Sequence, residues 1–117
     1  DAVAGQFSAE EHRFGIHGGE IETSMMLHLA PRTVRMEHAR DWRSTSQDRA
    51  EHYAILGNGK SAKLGWAMQD YHPDGAVGNA AAATADKGRA VVQAAAQALA
   101  QLLQELHALP PDTLKKI

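Results

Sequence analysis

The sequence predicts one small domain of two clear helices joined by irregular, glycine-containing backbone, and it predicts that this domain is part of a larger fold. The chain has 117 residues, a length that allows a single domain and excludes a two-domain enzyme with its own cofactor fold. Leu, Ile, Val and Phe make up roughly a fifth of it, and alanine, which buries little apolar area, supplies much of the other hydrophobic content. We therefore expect a core too thin for independent folding, and a chain that begins at Asp1 because it is processed or cut from a longer polypeptide.

The composition excludes several functional classes. A formal net charge of -2 does not provide the basic surface that a nucleic-acid-binding protein needs. The absence of cysteine from the sequence excludes disulfides, thiolate zinc sites and a cysteine nucleophile. Because the sequence also contains no apolar run of about 20 residues and no signal-peptide pattern, we expect a cytoplasmic protein with neither nucleic-acid nor membrane partners.

The first 31 residues divide into an N-terminal segment, 1–16, and a glycine-led helical segment, 17–31. In the first segment Ser8 and Glu11 have the spacing of a capping box, which predicts a short helix. In the second, the pattern predicts a helix over Glu20–Leu29 that ends before a proline.

The middle of the chain predicts loops, and the last part predicts a long helix. Residues 33–62 are polar and indicate loop with at most one short strand, and residues 64–79 indicate an irregular, glycine-rich pocket loop. Residues 84–107 predict a C-terminal helix capped by Thr84. Its apolar residues fall on one stripe, which we expect to lie on a packed layer. The stripe consists of Val91, Val92, Ala95, Ala98, Leu99, Leu102, Leu103 and Leu106.

One acidic residue of the first long helix falls among apolar ones. At about 100° per residue, Glu22 lies within the arc of apolar side chains, whereas Glu20 points away from it. A buried carboxylate needs a metal, a cation or hydrogen-bond donors, although Glu22 could equally be an ordinary first-turn residue near the positive end of the helix dipole. His17 precedes Gly18 and Gly19, where bare backbone would let a substrate approach, and it could transfer protons beside Glu22 or be purely structural.

A second cluster, Asp70-x-His72-x-Asp74, offers three side chains of types that bind metals. Pro73 and Gly75 favour a turn at this place. The turn is the preferred interpretation.

Residues 17–27, with the sequence HGGEIETSMML, resemble the HxGxxETSxML segment of the creatininase (creatinine amidohydrolase) family. The similarity continues through Leu29-Ala30-Pro31 and Val34-Arg35-Met36. Further along, residues 65–70, 75–79 and 83–88 resemble the glycine-rich region that leads into that family's C-terminal helix.

The resemblance implies an α/β fold, in which this chain is the C-terminal half of a three-layer α/β/α sandwich. It further implies metal-dependent hydrolysis of a cyclic amide, a formamide or a related C–N bond, and a homo-oligomer with a hexamer as the expected assembly. Most of the family's two-metal site lies in upstream segments, a Glu-x-His, an Asp and an Asn-Gly-His, that have no counterpart among these 117 residues. We therefore expect the N-terminal half of the same protein, or a companion chain, to bring two divalent metals (zinc, manganese or iron).

The resemblance also suggests roles for particular residues. His17 matches the family's catalytic histidine and is expected to donate a proton to the departing nitrogen. Glu22 matches the glutamate of the ETS motif and is expected to act in catalysis as a metal ligand. Gly18, Gly19 and Trp66 are expected to contact the substrate, with Trp66 as a wall of the pocket.

The competing interpretation makes this chain a non-catalytic assembly subunit. In that case the apolar stripe of the C-terminal helix would bind a partner chain.

Overall fold

The computed structural model describes residues 3–57 and 59–115, which form a mixture of helices and one small sheet. The helices are α1 (Ala9–Phe14), α2 (Glu20–Leu29), α3 (Thr45–His52) and α4 (Ala85–Ala108), and the strands are β1 (Asp41–Trp42) and β2 (Gly78–Asn79). Short 3-10 helices occur at Ala4–Gln6, Pro31–Thr33, Met36–His38, Met68–Asp70 and Ala80–Ala82. No helix in the described ranges is long and apolar enough to cross a membrane.

Helices α2 and α4 form the most extensive contact between elements. Their backbones approach so closely that a Cβ atom on Gly88 would overlap the carbonyl oxygen of Ser24. The Ser24 side chain is fully buried and accepts a hydrogen bond from the backbone N–H of Thr84 at 3.1 Å. Thr84 in turn caps α4, because its hydroxyl accepts from the N–H of Lys87 at 3.3 Å. The predicted cap and the predicted helix over Glu20–Leu29 are both confirmed.

The sheet joins distant parts of the chain beside these helices. Strands β1 and β2 are antiparallel, with Asp41 opposite Asn79 and Trp42 opposite Gly78. Few of the described apolar residues are buried, as the composition predicts. They are Phe7, Tyr71, Val77, Ala80 and Ala83.

The middle of the chain contains a helix that the sequence interpretation missed. Residues 45–52 form α3, where we expected loop with at most a short strand. Ser44 supplies the cap, since its hydroxyl accepts from the N–H of Ser46 at 3.1 Å. Because α3 has few apolar residues, it lacks the periodic stripe that identifies a helix in sequence.

The second half of α4 extends away from its neighbours. Val91 and Val92 are half-buried, whereas Leu99, Leu102, Leu103 and Leu106 are between 49% and 57% exposed. Only the first part of the predicted stripe therefore lies on a packed layer. The radius of gyration is 17.8 Å, compared with about 13 Å for a compact domain of similar length.

Candidate functional site

His17 stands at the sharp turn that leads into α2. Its carbonyl oxygen accepts a hydrogen bond from the N–H of Val77 at 2.9 Å, in an isolated antiparallel bridge. Gly18 follows with a φ of 67°, in the left-handed region that favours glycine. The bridge fixes the backbone of His17 while its side chain stays about half exposed.

Glu22 reaches back from the first turn of α2 to this turn. Its Oε2 atom accepts from the N–H of Gly18 at 2.6 Å and lies 3.6 Å from Nδ1 of His17. The Thr23 hydroxyl donates to the carbonyl of Gly18 at 3.2 Å. The prediction that an imidazole and a carboxylate face one small volume is confirmed.

The predicted orientation of the two glutamates of α2 is wrong. The Glu22 side chain is 53% exposed, whereas the Glu20 residue is 6% exposed and its carboxylate pairs with Lys87 of α4. The face of α2 that packs on α4 is formed by Glu20 and Ser24, one turn apart, because the close approach at Gly88 leaves no room there for large apolar side chains. Of the apolar arc, Met26 and Leu29 are exposed, whereas Ile21 and Met25 are half-buried.

An open groove of about 430 Å³ lies beside Glu22. Arg35 and His38, which follow α2, line it together with Glu22 and Gly18. The groove thus presents a guanidinium, an imidazole and a carboxylate to a small polar molecule. The sequence interpretation gave Arg35 and His38 no role, although Arg35 falls within one of the segments that carry the family resemblance.

The other predicted substrate contacts lie apart from the groove. Gly19 is buried, and a Cβ there would meet the carbonyl oxygen of Val77 at 2.8 Å and also the Glu11 carboxylate, so its backbone serves packing. The ring of Trp66 packs edge-on against Tyr71 at 4.8 Å, and Trp66 is not among the residues that line the groove.

The turn offers two side chains of types that can bind a metal. In the two described ranges, no three His, Asp or Glu side chains converge in a way that could hold a metal ion. Glu22 and His17 offer one carboxylate and one imidazole, which are suitable ligand types for zinc, manganese or iron. Because zinc takes four ligands, a complete site needs further groups.

The Asp70, His72 and Asp74 cluster has the geometry of a turn. Asp70 Oδ2 accepts from the N–H of Ala67 at 2.8 Å, His72 Nδ1 accepts from the N–H of Asp74 at 3.1 Å, and Asp74 Oδ2 accepts from the indole of Trp42 at 3.0 Å. The first two bonds are local and agree with the turn preferred from sequence, while the third joins the turn to β1.

Sequence reasoning missed the most buried carboxylate of this region, Glu11. The spacing predicted a capping box, and its first half is confirmed because the Ser8 hydroxyl accepts from the N–H of Glu11 at 3.0 Å. The second half is wrong, since the Glu11 carboxylate accepts instead from the N–H groups of Glu20 and Asn79 at 2.6 and 2.9 Å. Nothing in the local spacing signals these distant contacts.

Comparison with solved structures identifies a similar fold. A crystal structure of a protein from Bacteroides fragilis NCTC 9343, provisionally assigned as a creatinine amidohydrolase, matches with a TM-score of 0.68 and 30% sequence identity. The match covers 95% of this chain and 41% of that protein, so this chain spans less than half of its length. The comparison with curated proteins gives no match.

A family-level comparison agrees with the structural match. The sequence profile of the creatininase family, creatinine amidohydrolase, matches residues 1–103. This range includes His17, Glu22 and most of α4. The chain therefore belongs to the creatininase family.

Proposed function

We propose that this chain supplies a proton-transfer group and a metal ligand to a metal-dependent amidohydrolase. The substrate would be a cyclic amide, a formamide or a compound with a related C–N bond. The observation that carries this proposal is the 3.6 Å approach of His17 Nδ1 to Glu22 Oε2, where Glu22 also lines an open groove with both charged and apolar walls. Family membership supports the same class of reaction.

His17 is the proposed proton donor to the departing nitrogen. Imidazole suits this task near neutral pH, and the bridge to Val77 fixes the backbone from which the side chain projects. Glu22 Oε2, on the Nδ1 side of the ring, would orient the imidazole and stabilise its protonated form. The exposed ring edge would then face the substrate.

Glu22 is the proposed metal ligand of this chain. The hydrogen bond from the N–H of Gly18 holds its carboxylate at the turn that precedes α2. Divalent metals of this kind lower the pKa of bound water and so supply a nucleophile. We propose that two such metals, zinc, manganese or iron, take their other ligands from outside the described residues.

Arg35 and His38 are the proposed contacts for the polar part of the substrate. Both line the groove together with Glu22 and with Gly18, the residue that follows His17. A guanidinium at this position suits a substrate that carries a carboxylate or another hydrogen-bond acceptor. Trp66 does not line this groove, and it would act as a pocket wall if the rest of the protein extended the substrate site as far as its ring.

We further propose that the chain is completed into a three-layer α/β/α sandwich. The missing portion is either the N-terminal half of the same protein or a companion chain. The half-exposed leucines of α4 and the large radius of gyration support this, because covering each such leucine would gain about 1 kcal/mol. We propose further that the complete protein is a cytoplasmic homo-oligomer, with a hexamer as the expected assembly.

The proposal is tested in the complete protein by metal analysis and by hydrolysis of creatinine and of formamides. Glu22→Gln should reduce the metal bound per chain, because a carboxamide is a poorer ligand than a carboxylate. His17→Ala should keep the metal and lower kcat by about 10²–10⁴-fold. Glu51→Gln and His28→Ala, at exposed positions on α3 and α2, serve as controls. Full metal content in Glu22→Gln, or unchanged turnover in His17→Ala, would refute the assigned roles.

A further inference from the structure

The turn that carries His17 is held by a carboxylate that the proposed chemistry does not use. Glu11 belongs to α1 and is only 4% exposed. Its Oε1 atom accepts from the N–H of Glu20 at 2.6 Å and, more weakly, from that of Ile21 at 3.4 Å. Its Oε2 atom accepts from the N–H of Asn79 at 2.9 Å.

These contacts supply what α2 lacks at its start. The first N–H groups of a helix have no partner inside the helix, and a side chain at the N-cap position commonly accepts from them. The N-cap of α2 is Gly19, which has no side chain. Glu11 therefore acts as a cap from another element, and its negative charge lies at the positive end of the helix dipole.

Three glycines make room for this carboxylate. A Cβ atom on Gly15 or Gly19 would overlap it, and one on Gly78 would lie 2.7 Å from Oε2. Gly78 also has a φ of 110°, which a residue with a side chain rarely adopts. The backbone on both sides of Glu11 is thus shaped around its two oxygens.

The Glu11 carboxylate connects the two segments that flank the His17 turn, α2 and β2. Through Glu20 it holds the start of α2, from which Glu22 projects, and through Asn79 it holds β2. Val77, which precedes β2, is bridged to His17. The separation between His17 and Glu22 therefore depends on the distance that Glu11 sets between α2 and β2.

We propose that Glu11 is the positioning residue of this site, holding His17 and Glu22 at the separation needed for proton transfer. The catalytic part of this statement rests on the function proposed above. The structural part does not, because it concerns backbone hydrogen bonds that can be measured without substrate.

Amide hydrogen exchange in the unmodified full chain is the first test. Glu20 is the first residue of α2, so its N–H would exchange freely if no group outside the helix accepted from it. We expect slow exchange at Glu20 and Asn79, each with a carboxylate partner. Fast exchange at both would overturn the proposal with no variant needed.

The second test replaces the carboxylate with Glu11→Gln. A carboxamide has one acceptor oxygen and an NH₂ group, so one of the two backbone N–H groups would face a donor. The backbone N–H of Gly18 donates a hydrogen bond to Glu22, so its exchange rate reports on whether the turn stays closed. Exchange at Gly18 should accelerate on the order of tenfold or more, while Glu10→Gln, at an exposed position of the same helix, should leave it unchanged.

A uniform acceleration across α4 as well as Gly18 would show a loss of global stability only and would overturn the positioning role. If Glu11→Gln does not fold, Glu11→Ala can be refolded with formate or acetate. The side chain lines a cavity of about 150 Å³ through which such an anion could enter. Restored protection at Gly18 with added anion supports the proposal, and protection that does not respond to the anion counts against it.

The catalytic consequence is measured in the complete protein. Glu11→Gln should lower kcat at least about tenfold with a smaller change in KM and no loss of bound metal. If the unmodified protein hydrolyses no amide, the proposed function fails while the exchange results stand. If it does hydrolyse and Glu11→Gln turns over normally, the positioning role fails alone.

Discussion

The ion pair between Lys87 and Glu20 should contribute strongly to the stability of the α2–α4 contact, which carries Glu22. The Glu20 side chain is 8% exposed and that of Lys87 is 29% exposed. Lys87 also donates to the carbonyl of Ala82 at 3.3 Å and lies 5.8 Å from the ring of Phe7. Lys87→Met keeps the aliphatic length of the side chain and removes the charge from all three contacts.

The magnitude follows from the charge left behind. Removing one partner of a buried pair costs about 3–5 kcal/mol. Glu20 is the first residue of α2, where the helix dipole stabilises its negative charge and offsets about 1 kcal/mol of this cost. We therefore expect Lys87→Met to lower the free energy of unfolding by about 2–4 kcal/mol.

Urea denaturation followed by tryptophan fluorescence provides the measurement. The matched control is Arg89→Met on the same helix, whose pair with Asp86 at 3.0 Å is exposed on both sides and should contribute less than about 1 kcal/mol. Adding Glu20→Gln to Lys87→Met removes the stranded charge and should recover much of the loss. The reasoning is refuted if Lys87→Met costs no more than Arg89→Met, or if the double variant is no more stable than the single one.

Two further predictions test the packing and the surface electrostatics. Gly88→Ala should destabilise the chain by about 1–3 kcal/mol despite the better helix propensity of alanine, because the new methyl group overlaps the Ser24 carbonyl. The control is Gly65→Ala, since a Cβ atom on Gly65 would have no atom within 4 Å. Equal unfolding midpoints for the two variants would contradict the packing argument. The hydrogen bond from Arg43, at 2.7 Å, lowers the pKa of Asp48 below its ordinary value of 3.8. The pair therefore stabilises the fold above pH 3.8, and this stabilisation is lost as the pH falls through the lowered pKa of Asp48. Arg43→Gln should raise the Asp48 pKa toward 3.8 in an NMR titration, and an unmoved pKa would show that another cause lowers it.

Local sequence determined the parts of this protein that depend on near neighbours along the chain. The helix over Glu20–Leu29 and the Thr84 cap follow from capping residues, prolines and helical periodicity, which act within a few residues. His17 and Glu22 come close for an equally local reason, because only four residues, two of them glycines, lie between them. The family resemblance rests on that same short segment.

Tertiary structure alone decided which side chains of α2 are buried. Periodicity placed Glu22 inside and Glu20 outside, because it assumes that a buried face is apolar. At the crossing with α4, the absence of a side chain on Gly88 brings two backbones together, and Lys87 provides the cation that makes a buried Glu20 stable. The cation that pairs with the Glu20 side chain lies more than sixty residues away, so no local pattern could show it.

The same reason explains why Glu11 was predicted as half of a capping box and found as the cap of another helix. The donors to its carboxylate are the backbone N–H groups that lack other partners after folding, and those of Glu20 and Asn79 become neighbours only when α1, α2 and β2 meet. The sequence by itself therefore determined the family, the two clear helices and the pairing of His17 with Glu22. The tertiary structure decided which carboxylates are buried and what holds the pair in place, since burial depends on contacts between segments that are distant in sequence.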